Sequence, residues 1–245
     1  IDTVDSVKDF DIVSNKTDGI VHINLNSRTG IFKKAKNRRW VQKKILEAFK
    51  VDKKYSSVAS KAKQFFLPNA KGHISEDEID GVLKNVDTSK IPTDLKNGFT
   101  IKTISGMIYY MPSDLAEKLT QVLGVPVKID TSTPASKYID FLKKRDFDAM
   151  IIGTSMSYRV LGEAINLQYL SESPSLLDPT GKVKTLLKKY QNKENAEEEF
   201  KIIEKIMTQM VADSECVPLY YFSSPMFIKN ESLEAKNINL QDSIR

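Results

Sequence analysis

Apolar positions in this chain follow two rhythms. Three short runs rich in β-branched residues, at 99–104, 125–129 and 147–152, have the length of strands. Between them, apolar residues recur every three or four positions, the spacing of a helix with one buried face. The first such stretch has Ser113 placed as an N-cap, Leu115, Leu119, Val122 and Leu123 on one face, and Gly124 as a stop. The second, 135–144, is expected to turn Tyr138, Ile139 and Leu142 inward. Strand, helix, strand, helix, strand in this order predicts parallel crossover units. Ligands on open sheets of that kind sit beyond the carboxyl ends of the strands. The loops 105–112 and 153–162 are therefore the candidate ligand loops.

Further helices are predicted on both sides of this unit. Over 37–49, Trp40, Val41, Ile45, Ala48 and Phe49 form one stripe; over 56–66, Val58, Ala62, Phe65 and Phe66 do the same before Pro68 ends the pattern. Ser75 followed by Glu78 is a capping box opening a helix with Ile79, Val82, Leu83 and Val86 inward. Helices are also expected at 182–190 and 195–212. Alternation predicts strands at 20–25 and 217–222, where Pro218 argues for an edge position or a strand start. Residues 4–14 are polar and weakly patterned.

Composition narrows the class. The chain has 245 residues, 40% of them hydrophobic, enough for a sizeable core in one large domain or one with a small appendage. No apolar run reaches the roughly 18 residues of a membrane-crossing helix. Because the chain opens on Ile1 rather than Met, it is expected to be an excised or processed piece. Cys216 is the single cysteine, which excludes an internal disulfide and a cysteine-built metal site; within a predicted strand, it is expected to be buried and inert.

The net charge of +5 is uneven, with thirteen Lys or Arg over 28–63 against Glu47 and Asp52. One reading is a phosphate-binding face made by Lys33, Lys34, Lys36, Arg38, Arg39, Lys43 and Lys44. The other, preferred here, is a solvated helix face lying opposite the Trp40 stripe. The acidic run 76–80 is explained by capping and by the helix dipole, since neighbours on a helix do not converge on one ion. Asp146 and Asp148 flank Phe147 and are read as exposed strand-start residues, with acid or base chemistry as the lesser alternative. There is no glycine-rich phosphate loop, nucleophile elbow or metal-ligand spacing. No catalytic residue, metal or cofactor is expected.

Several separated signals fall in a familiar order: Asn24-Leu-Asn26, the basic helix start Lys36-Asn-Arg38, Phe66-Leu-Pro68, Val125-Pro-Val-Lys-Ile129, Phe147-Asp-Ala-Met-Ile-Ile-Gly153 and Val217-Pro-Leu-Tyr-Tyr221. Over about residues 18–230 the chain resembles the carboxyl-terminal half of an extracytoplasmic solute-binding protein of the oligopeptide and dipeptide ABC-importer family, family 5. The resemblance implies an α/β fold with a mixed, largely parallel sheet flanked by helices, the second lobe of a periplasmic-binding-protein-like type II fold. It implies a hinge segment and entering strand at 1–26, a ligand-binding lobe at 27–216, and a returning hinge strand and tail at 217–245. The implied function is capture of a small solute, a peptide above all, and its delivery to a membrane permease, with no enzymatic step. The partners would be that solute, the ABC permease and an N-terminal lobe missing from this chain, with no nucleic acid. The place would be outside the cytoplasmic membrane, with a lipid anchor compatible.

Peptide-binding members carry an aspartate that pairs with the ligand's amino terminus at the position of Ser157. A serine lacks the charge that makes an ammonium contact strong. The candidate ligand contacts are Tyr109, Tyr110, Ser155, Ser157, Tyr158 and Arg159, with Tyr220 from the returning strand. Two alternatives remain open: a surface scaffold domain that has lost transport, and a binder of nucleic acid or anionic surfaces through the basic helix.

Overall fold

A computed structural model describes residues 10–14, 19–68, 70, 72–105, 111–155, 161–193, 195–223 and 225–229. Its centre is a six-stranded sheet containing β2 (Gly19–Leu25), β3 (Ala59–Lys61), β4 (Phe99–Ile104), β5 (Val127–Thr133), β6 (Ala149–Ser155) and β7 (Cys216–Phe222), in the order β3-β7-β2-β6-β4-β5. β4 is parallel to β5 and β6, whereas β2 runs against both β6 and β7, and β3 runs against β7. Four strands, β4 to β7, therefore point the same way. A separate antiparallel ribbon pairs β1 (Phe10–Ser14) with β8 (Pro225–Lys229). Neither ribbon strand stands out in the alternation pattern.

The helices are α1 (Ala35–Ala48), α2 (Glu76–Leu83), α3 (Leu115–Leu123), α4 (Tyr138–Lys144), α5 (Leu161–Leu170), α6 (Lys182–Gln191) and α7 (Ala196–Asp213). They cover both faces of the sheet. Val21, Ile23 and Leu25 of β2 share one core with Trp40 and Ile45 of α1 and Leu115 and Leu119 of α3. On the other face, Ile20 of β2 packs with Ile165 of α5, Val183 of α6 and Ile203, Ile206 and Met210 of α7. A third cluster joins Phe141 and Leu142 of α4 to Phe147, Met150 and Ile152. Period-two alternation thus loads both faces of the strands, which is why they read as nearly continuous apolar runs.

Local chemistry fixes the ends. Ser75 and Glu78 complete the capping box of α2, Asn195 caps α7, and Gly124 ends α3 with φ 66°. Pro218 lies within β7 opposite His22, just past the point where β3 stops. Its missing N–H therefore leaves no ladder partner wanting.

Several expectations need correction. The stretch 56–66 is not a helix: it holds the short β3 and an irregular segment, because β7 offers it a hydrogen-bonding edge. The Tyr221 hydroxyl then donates to the carbonyls of Gln64 and Phe66, satisfying backbone that no helix serves. The N-cap of α3 is Asp114, not Ser113. Ile139 is 52% exposed, and Phe141 takes the inward place, because a 3-10 turn at Ala135–Lys137 precedes α4 and rotates its face. The strands expected at 125–129 and 147–152 run two to four residues further along.

The basic segment also departs from a purely solvated face. Arg38 is 3% exposed; its Nε donates to Asp213 O at 2.9 Å and its Nη1 to Phe32 O at 2.8 Å and Lys33 O at 3.0 Å. Arg39 donates to Ala212 O, while Lys43 donates to Leu83 O and Val86 O. These cations serve the carbonyls at or just past the C-termini of α7 and α2, the end of a helix that favours positive charge. Beside Arg38 lies Glu215, 1% exposed, accepting from Ser27 Oγ, Leu177 N and Asp178 N. Burial pushes its carboxyl above the usual range, against those hydrogen bonds and the Arg38 charge.

Candidate functional site

The strand directions place several chain ends on one edge of the sheet. Register pairs Ser155 with Gly19, Gly19 with Phe222, and Phe222 with Ala59. The carboxyl ends of β6 and β7 therefore meet the first residues of β2 and β3, and the carboxyl ends of β4 and β5 point the same way. Gly19 is required there: a Cβ would stand 2.6 Å from Thr154 O and 2.6 Å from Cζ of Phe222.

Of the sequence-predicted contacts, Ser155 is the exposed last residue of β6. Tyr220 is 2% exposed in the core on the α1 side and lines a small notch with Tyr55, Ala59, Pro112 and Lys118. Burial pushes its hydroxyl far above the usual tyrosine range. The notch is bordered by Lys118, which pairs with Asp52 and, at 3.2 Å, with Asp114. Tyr109, Tyr110, Ser157, Tyr158 and Arg159 lie outside the described residues. The loop expected over 153–162 is shorter than predicted, since β6 runs to Ser155 and α5 begins at Leu161.

Sequence reasoning missed the polar residues behind this edge. His22 is fully buried: Nδ1 donates to Asn24 Oδ1 at 2.7 Å and Nε2 meets Thr154 Oγ1 at 3.0 Å. Gln168 of α5 donates to the same Thr154 oxygen at 3.3 Å. Burial holds the His22 imidazole down at about 4, against the raising effect of Asn24. Cys216 Sγ lies 3.3 Å from His22 Nδ1, a nearness that separation in sequence concealed. Burial pushes that thiol well up, so both partners are neutral and the pair has no thiolate–imidazolium character. The available signal was His22 and Asn24 facing the same side as Ile20 on an otherwise apolar strand.

Among the described residues, no group of three or more His, Cys, Asp or Glu side chains is arranged to hold a metal ion. The side chain of Asp146 is 93% exposed and meets Lys102 at 3.4 Å, a solvated strand-start pair. What the edge offers among the described residues is a row of strand ends with the exposed hydroxyl of Ser155 and the Phe222 ring beside Gly19.

Comparison with known proteins agrees with this geometry. No protein-family model and no curated protein matches the chain. Among solved structures, a dipeptide-binding protein from Pseudoalteromonas sp. SM9913 in complex with Met-Leu matches with a TM-score of 0.69 at 13% identity, over 94% of this chain and 48% of that one. NikA from Brucella suis, in complex with Fe(III)-EDTA, matches with a TM-score of 0.67 at 14% identity, over 93% and 50%. The oligopeptide-binding protein AppA from Bacillus subtilis, in complex with a nonapeptide, gives 0.65 at 19%, over 94% and 50%. The structural neighbours are thus solute-binding proteins of the oligopeptide and dipeptide ABC-importer type, and the fold is the α/β, mixed-sheet fold of periplasmic-binding-protein type II. The chain spans about half the length of each structure it matches.

Proposed function

We infer that this chain is one ligand-binding lobe of an extracytoplasmic receptor that captures a peptide or similarly sized solute and hands it to an ABC permease. The observation that carries this reading is the sheet edge: the ends of β6, β7, β2 and β3 converge there, in a fold that matches half of several solute-binding proteins. A second lobe would supply the other wall of the cleft, and closure would follow hinge motion about the crossing strands. The lobe would comprise residues 27–216, with 1–26 and 217–245 leading to and from it. Tyr109, Tyr110, Ser155, Ser157, Tyr158 and Arg159 are the contacts proposed at the edge; Tyr220 would act from behind it, through the notch. The role proposed is binding rather than catalysis, in keeping with structural neighbours that are binding proteins.

The absence of an acidic residue at Ser157 favours solutes held by hydrogen bonds and apolar contact over those held by an ammonium group. Thermal-shift and calorimetric screens against pooled di- to pentapeptides, sugars and small anions test the reading. Saturable stabilisation by one class supports it. Binding only of nucleic acid, falling steeply with salt, replaces it with the basic-helix alternative.

A further inference from the structure

Five residues behind the sheet edge are joined in a ring by five hydrogen bonds, closed through Ser175, whose carbonyl accepts one bond and whose hydroxyl donates another. Asn24 Nδ2 donates to Ser175 O at 3.5 Å, the longest contact, which orients the amide and leaves Oδ1 to accept from His22 Nδ1 at 2.7 Å. The imidazole proton therefore sits on Nδ1, and Nε2 accepts from the Thr154 hydroxyl at 3.0 Å. Thr154 Oγ1 in turn accepts from Gln168 Nε2 at 3.3 Å, and Gln168 Oε1 accepts from Ser175 Oγ. Every donor points the same way around the ring. Hydrogen bonds arranged in series polarise one another. Leu176 N also donates to Gln168 O at 3.0 Å, adding a backbone tie at the same point.

The ring joins four pieces of chain: β2, the last turned-in residue of β6, α5, and the segment after α5. Two of them, β6 and α5, bracket residues 156–160. The structure assigns Thr154 and Gln168, closed through His22, Asn24 and Ser175, as positioning residues that hold the end of β6 against α5 at the ligand edge. This rests on the solute-binding reading for its purpose but not for its test. A valine at position 154 keeps the shape and removes one donor and one acceptor, opening the ring at the site.

Amide hydrogen exchange on the 245-residue chain decides it. Wild type is compared with Thr154→Val, Thr154→Ser and Gln168→Met, and with Thr103→Val, whose hydroxyl donates to Ile151 O at 3.0 Å outside the ring. Thr154→Val and Gln168→Met should speed exchange at 150–155 and 165–170 about tenfold while α1 stays within about twofold, and Thr154→Ser should restore the wild-type rate. Thr103→Val should leave 165–170 unchanged. Equal acceleration in α1 and α5, no acceleration in α5, or failure of serine to restore it overturns the assignment and leaves ordinary packing. A separate calorimetric titration with tri-alanine addresses the binding reading alone: absence of heat beside an intact exchange result removes peptide binding and retains the ring.

Discussion

Acid should strip stability from this fold through His22. The ring is fully buried and neutral, with a folded value of about 4 against 6.5 for a free histidine. The folded value is depressed, so between those limits the unfolded chain binds a proton that the folded chain refuses. Stability on this account is complete above pH 6.5 and is lost as pH falls toward 4. At roughly 1.4 kcal/mol per pH unit, the loss amounts to about 3 kcal/mol. That is a large part of the 5–15 kcal/mol typical of a domain. The assay is denaturant unfolding of wild type and His22→Gln at pH 7.5, 6, 5 and 4. Other carboxylates titrate equally in both proteins, so the difference between them isolates His22. The difference should fall by about 3 kcal/mol between pH 7.5 and 4. A difference flat across that range, or imidazole resonances of His22 titrating near 6.5, refutes the reasoning.

Three substitutions test other parts of the account. Gln42 of α1 is 1% exposed and neither amide atom has a partner, so Gln42→Met should stabilise by about 1 to 2 kcal/mol in urea unfolding; destabilisation of that size would mean the amide is satisfied. Arg38→Met leaves the carbonyls of Phe32 and Lys33 and the Glu215 carboxylate without their cation, and should cost about 3 to 5 kcal/mol at pH 7.5; an exposed, phosphate-seeking arginine would cost almost nothing. Gly98, at φ 76° with a Cβ position 1.9 Å from Pro126 O, should not accept alanine without a loss of about 2 kcal/mol or more, read as a lowered melting temperature; an unchanged melting temperature would contradict the backbone placement.

Much of this fold was legible because its signals are local. Ser75 with Glu78, Gly124 after Leu123, and the stripes of α1 and α7 depend on residues within a turn or two of each other. Strands β4, β5 and β6 were visible from β-branched runs alone, although β5 and β6 extend into polar residues, where their neighbours rather than their composition keep them extended. β3 escaped because three residues become a strand only where β7 presents an edge, and Val58, Ala62, Phe65 and Phe66 mimic a helical stripe while packing beneath that edge. α5 escaped because Gly162, Glu163, Asn166 and Gln168 interrupt its apolar positions and no cap announces it. A helical wheel put Arg38 among the solvated cations. It could not show that α7 ends against that position.

The candidate site was legible as an edge but not as a set of contacts. Strand and helix alternation located the carboxyl ends, and Ser155 is there. The residues behind it are held by long-range pairing: His22 reaches Thr154 across 132 positions of sequence, and Asn24 reaches Ser175 across 151. No short motif encodes such a ring.

The central claim is that the sheet edge at Ser155 is one wall of a solute-binding cleft. The most direct measurement is calorimetry with pooled di- to pentapeptides on the longest natural chain carrying these 245 residues, beside its Ser155→Trp and Arg39→Glu variants. The account predicts saturable binding that falls at least about tenfold when the indole blocks the edge, a loss of roughly 1.4 kcal/mol or more, and is unchanged by the charge reversal on α1. Binding indifferent to Ser155→Trp and abolished by Arg39→Glu would contradict it and move the site to the basic helix.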